Sequence, residues 1–492
     1  MFNFTKVFIT FLAIGSCATL NAAEYWVSKK GNDTNNCASL SSTCLTIQRG
    51  LNLLKPGDIL NIDEGTYIED STNSTITSKC GLLDENYGSL CIKASGTPDK
   101  PITVRAQPGK EGKVIIDSDG KRAGLIISKF DYIHVRNLTF INSWTGGIAT
   151  PGGPSSIPTE EILSIGCVIE GNTILNTTGA YGVNNSAIYM WSTKDWIVRN
   201  NIVHSVFGNG TNSNGIQSYG TVNALIENNT ISAVDHGINW KDHYVTDLTS
   251  KGHVQESIIR NNRFSVTAVG IRISIRGDGS NPAGHNLIEG NIIEMNNEAA
   301  VGIGAYLAGA NAMSGDFEIK NNLFVGKATR HKAVDADGIN SVKIVGNVFS
   351  GIDTTVSLRL QNLERPAKLI ESNYNVYDGV IQIQNDKYSG DEETYKTLVA
   401  WQQAKPSVDP TIISLKVDNP DKYSIQRSDT RILAKAIADA NANYKDFIPT
   451  LTGPNGTTYQ PGPYQKPNQI IGSSKELTSG PIAPQNAVSK EL

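Results

Sequence analysis

Ile197-Val198-Arg199-Asn200-Asn201 and Leu225-Ile226-Glu227-Asn228-Asn229 decide the fold, because the phrase they share returns through the middle of the chain. It reads two apolar residues, a polar one, Asn or Gly, and then Asn. Further copies are Val168-Ile169-Glu170-Gly171-Asn172, Ile258-Ile259-Arg260-Asn261-Asn262, Leu287-Ile288-Glu289-Gly290-Asn291 and Glu318-Ile319-Lys320-Asn321-Asn322. Weaker copies end at Asn347 and Asn373, with a forerunner at Val135-Arg136-Asn137. The last Asn recurs every 25 to 33 residues. Each copy is short, largely β-branched and broken by Asn or Gly, which excludes helical repeats, and Leu is too sparse for leucine-rich repeats. Short strands joined by Asn turns, one coil per repeat, predict an all-β chain wound as a right-handed parallel β-helix. Asn tolerates the left-handed backbone of a sharp turn. Stacked about 4.8 Å from the next coil, its amide can bond its neighbours as a ladder.

The rest of the chain agrees with an exported solenoid. Among 492 residues, Lys+Arg 43 against Asp+Glu 47 leaves a formal charge of −4, without the basic excess of a nucleic-acid binder. Gly 46 suits a chain that turns often. Residues 1–23 read as a signal peptide: Lys6, an apolar run from Val7 to Gly15, and small residues ending at Ala22-Ala23. An alternative is a lipid anchor at Cys17 in Ile14-Gly15-Ser16-Cys17. No other segment is long and apolar enough for a transmembrane helix. Cys37 and Cys44, and Cys80 and Cys91, are close pairs suited to disulfides in a secreted or periplasmic protein, with the connectivity open. Cys167 sits in an apolar strand as a core thiol.

Both flanks carry a resemblance. Tyr25-Trp26-Val27-Ser28, Gly31-Asn32-Asp33, Leu45-Thr46-Ile47-Gln48, Pro56-Gly57-Asp58-Ile59-Leu60-Asn61-Ile62 and Gly65-Thr66-Tyr67 resemble the opening of secreted β-helix proteins related to family 9 pectate lyases. Ser407-Val408-Asp409-Pro410 and Tyr423-Ser424-Ile425 resemble their closing segment. The resemblance implies a helix near Ile47–Leu54 that caps the first coil. The expected division is a β-helix over 24–378, then a C-terminal capping segment and tail over 379–492, with residues from about 460 as a flexible end.

A β-helix binds ligands along an outer face, so the question is which side chains point out of one strand set. A second strand precedes each Asn phrase and begins Ala187-Ile188, Gly215-Ile216, Gly237-Ile238, Gly270-Ile271 or Gly302-Ile303. With that Ile inward, Tyr189, Gln217, Asn239, Arg272 and Gly304 point outward, as do Trp191, Tyr219, Lys241, Ser274 and Tyr306 two residues on. Arg276 follows on the same side. Tyr189, Trp191, Gln217, Tyr219, Asn239 and Tyr306 are therefore the expected sugar-binding residues. Trp240 points inward.

Aromatics beside a Lys and two Arg suit an acidic polysaccharide, because a guanidinium grips a uronate carboxylate. The expected reaction is β-elimination. Lys241 is the expected base, about 5 Å from Arg272, a cation that favours the neutral amine. Arg272 or Arg276 neutralises the substrate, and His236 and His243 are candidate proton carriers. This resembles family 6 lyases (chondroitinase B and alginate lyases), in which Lys and Arg on adjacent coils act together, and family 9 lyases, in which a Lys base works beside Ca²⁺. Lys241 matches the Lys, and Arg272 or Arg276 the Arg. The Asn-Gly-Glu-type motif of family 6 and the tight Asp cluster of family 9 are absent. Asp235, Asp242 and Asp278 are the candidate Ca²⁺ ligands. One alternative is a hydrolase using Asp335 and Asp337, roughly 7 Å apart on one strand face. Another is a glycan-binding surface protein without catalysis. The chain is expected to act as a monomer.

Overall fold

The computed structural model describes residues 22–69, 80, 88–150, 164–179, 185–207, 213–241, 256–274, 285–297, 300–305, 314–326, 332–336, 339–351, 354–359, 368–378, 383–386, 392–403, 422, 424–427, 450–463, 465, 469 and 471–473. Within them the repeats form the expected parallel β-helix. Twelve strands stack into one sheet, from Glu24–Val27 and Ile59–Ile62 to Lys368–Asn373. The phrase copies lie in parallel register: Val168-Ile169-Glu170 on Ile197-Val198-Arg199, then Leu225-Ile226-Glu227, then Ile258-Ile259-Arg260. A second sheet of twenty-two strands takes up the chain after each Asn turn and includes the strands that begin with a small residue and Ile. The middle apolar residue of each copy (Ile169, Val198, Ile226, Ile259, Ile288, Ile319) is fully buried, contributing about 2 kcal/mol each.

A helix lies within the expected span and is shorter than it, at Ile47–Leu51. Thr46 accepts from the Arg49 N–H as its N-cap, and the buried Glu69 carboxylate accepts from the Ile47 and Gln48 N–H groups. It packs against Glu24–Val27, Ile59–Ile62 and Gly88–Cys91.

The two last positions of the phrase divide the work that the sequence reading gave to Asn in general. The first takes the left-handed backbone: Gly171, Asn200, Asn228, Asn261, Gly290, Asn321 and Gly346 all have φ between 54° and 68°. The second is the ladder. The Asn201 backbone N–H and Nδ2 both donate to Asn229 Oδ1 at 3.0 Å, and Asn229 does the same to Asn262 Oδ1 at 2.9 Å. The spare amide hydrogen goes to a main-chain carbonyl, as from Asn229 to Val198. This run passes through Asn172, Asn201, Asn229, Asn262, Asn291, Asn322, Asn347 and Asn375, all buried.

Two assignments change as a result. The last rung is Asn375, and Asn373 stands two residues before it, in register with Val345. Tyr374, at φ 55°, occupies the left-handed position there. Asn137, read as an early rung, has φ 60° and holds the turn position, while Leu138 N–H donates to Asn172 Oδ1. At the other end the Asn375 N–H donates to Ser424 Oγ, so a hydroxyl closes the ladder.

The outer face of the twelve-stranded sheet carries a pattern that the sequence reading missed. The polar residue of the phrase alternates in sign: Arg136, Glu170, Arg199, Glu227, Arg260, Glu289 and Lys320 stand in one register column. Glu170 pairs with Arg136 at 3.2 Å and Arg199 at 2.8 Å, Arg260 with Glu227 at 2.7 Å, and Lys320 with Glu289 at 3.8 Å. The signal was available, since the third letter of each copy is printed in the repeat itself.

Residues from about 460, expected as a flexible end, lie in part against the turn ridge. Tyr459 stacks on Tyr374 at 4.8 Å and donates its hydroxyl to Asn321 Oδ1 at 2.8 Å. Gly462 N–H donates to the Gly346 carbonyl, Gly472 N–H to that of Asn261, and the Ser473 hydroxyl to that of Asn200. The segment thus runs back across the coils and satisfies groups that the left-handed turns leave pointing outward. A Cβ on Gly346 would come within 2.3 Å of the Tyr459 ring.

Cys37–Cys44 and Cys80–Cys91 are disulfides, and Cys167 is free and buried, its thiol pushed up to about 12 chiefly by burial. Among the described residues no helix is long and apolar enough to cross a membrane. Residues 1–21 of the expected signal peptide, Cys17 among them, lie outside them.

Candidate active site

The strands Asn185–Trp191, Ser213–Tyr219, Thr230–Lys241 and Arg263–Ser274 build the face singled out by the sequence. Ile188, Ile216, Ile238 and Ile271 fill the core, as do Met190, Trp240 and Ile273 two residues later. The intervening residues form two columns in register. One is Tyr189, Gln217, Asn239, Arg272, Gly304 and Asp335; the other is Trp191, Tyr219, Lys241 and Ser274. The small residue before each Ile is required by packing. A Cβ on Gly237 would sit 2.5 Å from the Phe264 ring and 2.5 Å from the Gly270 carbonyl oxygen.

That small residue also bends the strand. Side chains at positions i and i+3 of a straight strand face opposite sides. Here Asn214 Nδ2 reaches Gln217 Oε1 at 3.2 Å, across Gly215-Ile216. The residue ahead of the glycine therefore swings round to the outer side, and Ser186, Asn214 and His236 form a further column in register. Ser186 Oγ donates to Gln217 Oε1 at 2.6 Å, and Asn239 Nδ2 donates to Asn214 Oδ1 at 2.8 Å. The sequence reading assumed strict alternation and so missed Ser186 and Asn214. The motif that betrays them is the polar residue directly before the Gly/Ala-Ile pair.

Gln217, Asn239 and His236, expected at the surface, are buried in this network at 0%, 0% and 3% exposure. Gln217 and Asn239 hold the floor of the face together. His236 Nε2 lies 3.3 Å from Arg272 Nη1. A guanidinium only donates, so Nε2 accepts and the ring proton sits on Nδ1. His236 thus stands directly against the Arg272 guanidinium.

Above this floor stand the aromatics. Trp191 and Tyr219 stack at 4.9 Å, and Tyr189 meets each edge-on at 6.0 Å. Tyr189 also packs on the small cluster of Cys80, Cys91, Ala123, Ile126 and Ala149. Burial, and secondarily Tyr219, push its phenol well above the usual range. Lys241 Nζ donates to Tyr219 Oη at 3.3 Å and lies 5.3 Å from that ring's centroid. The register sets Lys241 opposite Ser274 and Arg272 opposite Asn239. The two cations are therefore diagonal neighbours, about 8 Å apart by strand spacing and rise, wider than the 5 Å estimate that placed them side by side.

Asp235 accepts from Ser213 Oγ at 2.8 Å and Thr267 Oγ1 at 3.0 Å. Among the described residues no three His, Cys, Asp or Glu gather as a metal site. Asp335 is ion-paired with Lys332 at 3.0 Å. Arg276, His243, Tyr306, Asp242, Asp278 and Asp337 lie outside the described residues.

No protein-family model matches the chain, and no curated protein matches its sequence. Solved structures do. A rhamnogalacturonan lyase is 12% identical, with TM-score 0.50 over 89% of this chain and 95% of that one. The pectate lyase Pel9A is 14% identical, with TM-score 0.43 over 68% and 78%. A mannuronic acid-specific polysaccharide family 6 lyase from human gut microbiota is 13% identical, with TM-score 0.42 over 90% and 96%. The class defined by the fold is the parallel β-helix of polysaccharide-lyase type. At this identity the likeness concerns the scaffold, and the chemistry is argued from the site.

Proposed function

We propose that this protein is an exported polysaccharide lyase that cleaves a uronate-containing chain by β-elimination. The observation that carries the reading is Lys241 held against Tyr219 in an aromatic cluster, with Arg272 diagonal to it in the next coil. With backbone positions about 8 Å apart, the long Lys241 and Arg272 side chains can converge on one uronate ring. Arg272, braced by His236, neutralises the carboxylate and so acidifies the adjacent C–H. The Lys241 amine takes that proton, and its electron pair becomes the new ring double bond. The glycosidic C–O bond breaks, and the Tyr219 hydroxyl is placed to protonate the departing oxygen. The Trp191–Tyr219 stack supplies the aromatic surface for the sugar C–H groups. The two disulfides support export.

The hydrolase alternative is weaker, since Lys332 engages Asp335. The test is incubation with alginate, pectate, glycosaminoglycans and bacterial exopolysaccharides, with and without a chelator. Rising ultraviolet absorbance from an unsaturated uronate is the expected result. New reducing ends without that absorbance would mean hydrolysis, and retention of substrate without either product would mean a binding protein.

A further inference from the structure

A pocket of about 210 Å³ opens on the N-terminal coils, walled by Ile92, Ile126 and Phe130, with Ser128 buried inside and Lys93 and Lys129 at its exposed rim. Its place in the fold links it to the candidate active site. Cys91, Ile126, Ala149, Tyr189, Gln217 and Asn239 follow one another in register. Lys93 stands two residues after the first of these, Ser128 two after Ile126, Trp191 two after Tyr189, Tyr219 two after Gln217, and Lys241 two after Asn239. Cys91, Ile126, Ala149, Tyr189, Gln217 and Asn239 therefore mark one line along the solenoid axis, with the pocket at the Cys91 end and Lys241 at the Asn239 end. Lys93 is five coils from Lys241, roughly 24 Å at about 4.8 Å per coil.

The pocket is electrostatically unlike the ladder face. Among the described residues neither Lys93 nor Lys129 makes an ion pair. Burial lowers the Lys93 pKa, a sign that its ammonium is already partly stripped of water. Lys129 has φ 63°, a left-handed conformation that costs free energy in a residue with a Cβ. Between the pocket and Lys241 lie the apolar cluster on which Tyr189 packs and the Trp191–Tyr219 stack.

We propose that Lys93, Lys129 and Ser128 form a distal anionic subsite that holds a carboxylate or sulfate of the same acidic chain, several sugars from the bond cleaved at Lys241. The proposal rests on the lyase reading for its ligand, but its own test is binding. Polymers long enough to span both places gain affinity, whereas short oligosaccharides reach only the Lys241 end.

The test is affinity electrophoresis through gels containing polygalacturonate, alginate or chondroitin sulfate, with ultraviolet lyase assays in parallel. The full chain is compared with the Lys93→Ala/Lys129→Ala variant. Lys113→Ala/Lys121→Ala, which removes two exposed lysines elsewhere, is the charge-matched control. The expected result is retention weakened by roughly tenfold in the first variant only. KM for the polymer should rise by a similar factor, with kcat and short-oligosaccharide kinetics unchanged. Equal losses in both variants, no loss in the first, or no retention of the wild type on any of the three polymers overturns the subsite. Selective loss of retention without any unsaturated product from the wild type keeps the subsite and removes the lyase reading.

Discussion

Two outer faces of the same coils distribute charge in different ways. On the twelve-stranded sheet, Arg136, Glu170, Arg199, Glu227, Arg260, Glu289 and Lys320 alternate, cation beside carboxylate, and each charge meets its opposite one coil away. On the second face the positions in register beside Lys241 are Tyr219 and Ser274, and those beside Arg272 are Asn239 and Gly304. The coil-to-coil spacing is the same in both. What differs is whether the protein supplies the counter-charge in the next coil. Alternation turns a stack of like positions into a stabilising ladder. On the second face the register neighbours of these cations are aromatic, amide or small residues, and the proposed ligand there is a carboxylate-bearing chain.

The largest expected effect breaks this contrast at its centre. Lys241→Ala should lower kcat for unsaturated-uronate formation by roughly 10²- to 10⁴-fold, whereas Arg260→Ala on the ladder face leaves the ultraviolet rate unchanged. Full activity in Lys241→Ala would remove the proposed base. Next comes the device that holds both faces in register. Asn229→Ala strips the acceptor from the Asn201 N–H and Nδ2. It should lower unfolding free energy by about 3 kcal/mol in urea titrations, as buried polar groups lose their partners. An unchanged urea midpoint would mean that the ladder is ornamental.

A smaller effect is expected on the ladder face itself. Glu227→Gln removes the partner of Arg260 and should cost about 1 kcal/mol, with lyase kinetics untouched. The last is a pH effect, confined to the acid side. Burial, and then the Arg136 charge, lower the His134 pKa from 6.5 to about 4. The unfolded chain binds a proton there below about 6.5, and the native one only near 4. The stability from keeping His134 neutral is therefore complete above pH 6.5 and is lost as pH falls towards 4. His134→Gln should flatten this acid-side loss in urea midpoints, and an unaltered slope would show that His134 plays no part in it.

Much of the scaffold was legible because a solenoid repeats its instructions. Val-Ile-polar-Gly/Asn-Asn names a core residue, an outward charge, a left-handed turn and a ladder rung in five letters. The errors fell where one coil departs from that wording. Tyr374 takes the turn position, so the last rung moved from Asn373 to Asn375, and Ser424 substitutes for a further Asn. The columns of Lys241 and Arg272 followed from alternation after each Gly/Ala-Ile pair. Burial of His236, Gln217 and Asn239 did not, because a glycine bend brings neighbours from both sides of the strand together.

The sequence by itself therefore determined the parallel β-helix, its coil length, its ladder and the face that carries Lys241, since these depend on local patterns repeated along the chain. Only the tertiary structure decided the register between coils. That register placed Arg272 diagonal to Lys241, buried the amide floor, aligned Lys93 with the same axis and drew the C-terminal segment back over the Asn turns. Contacts between residues about 30 or more apart are fixed by stacking and packing, which no single stretch of sequence contains.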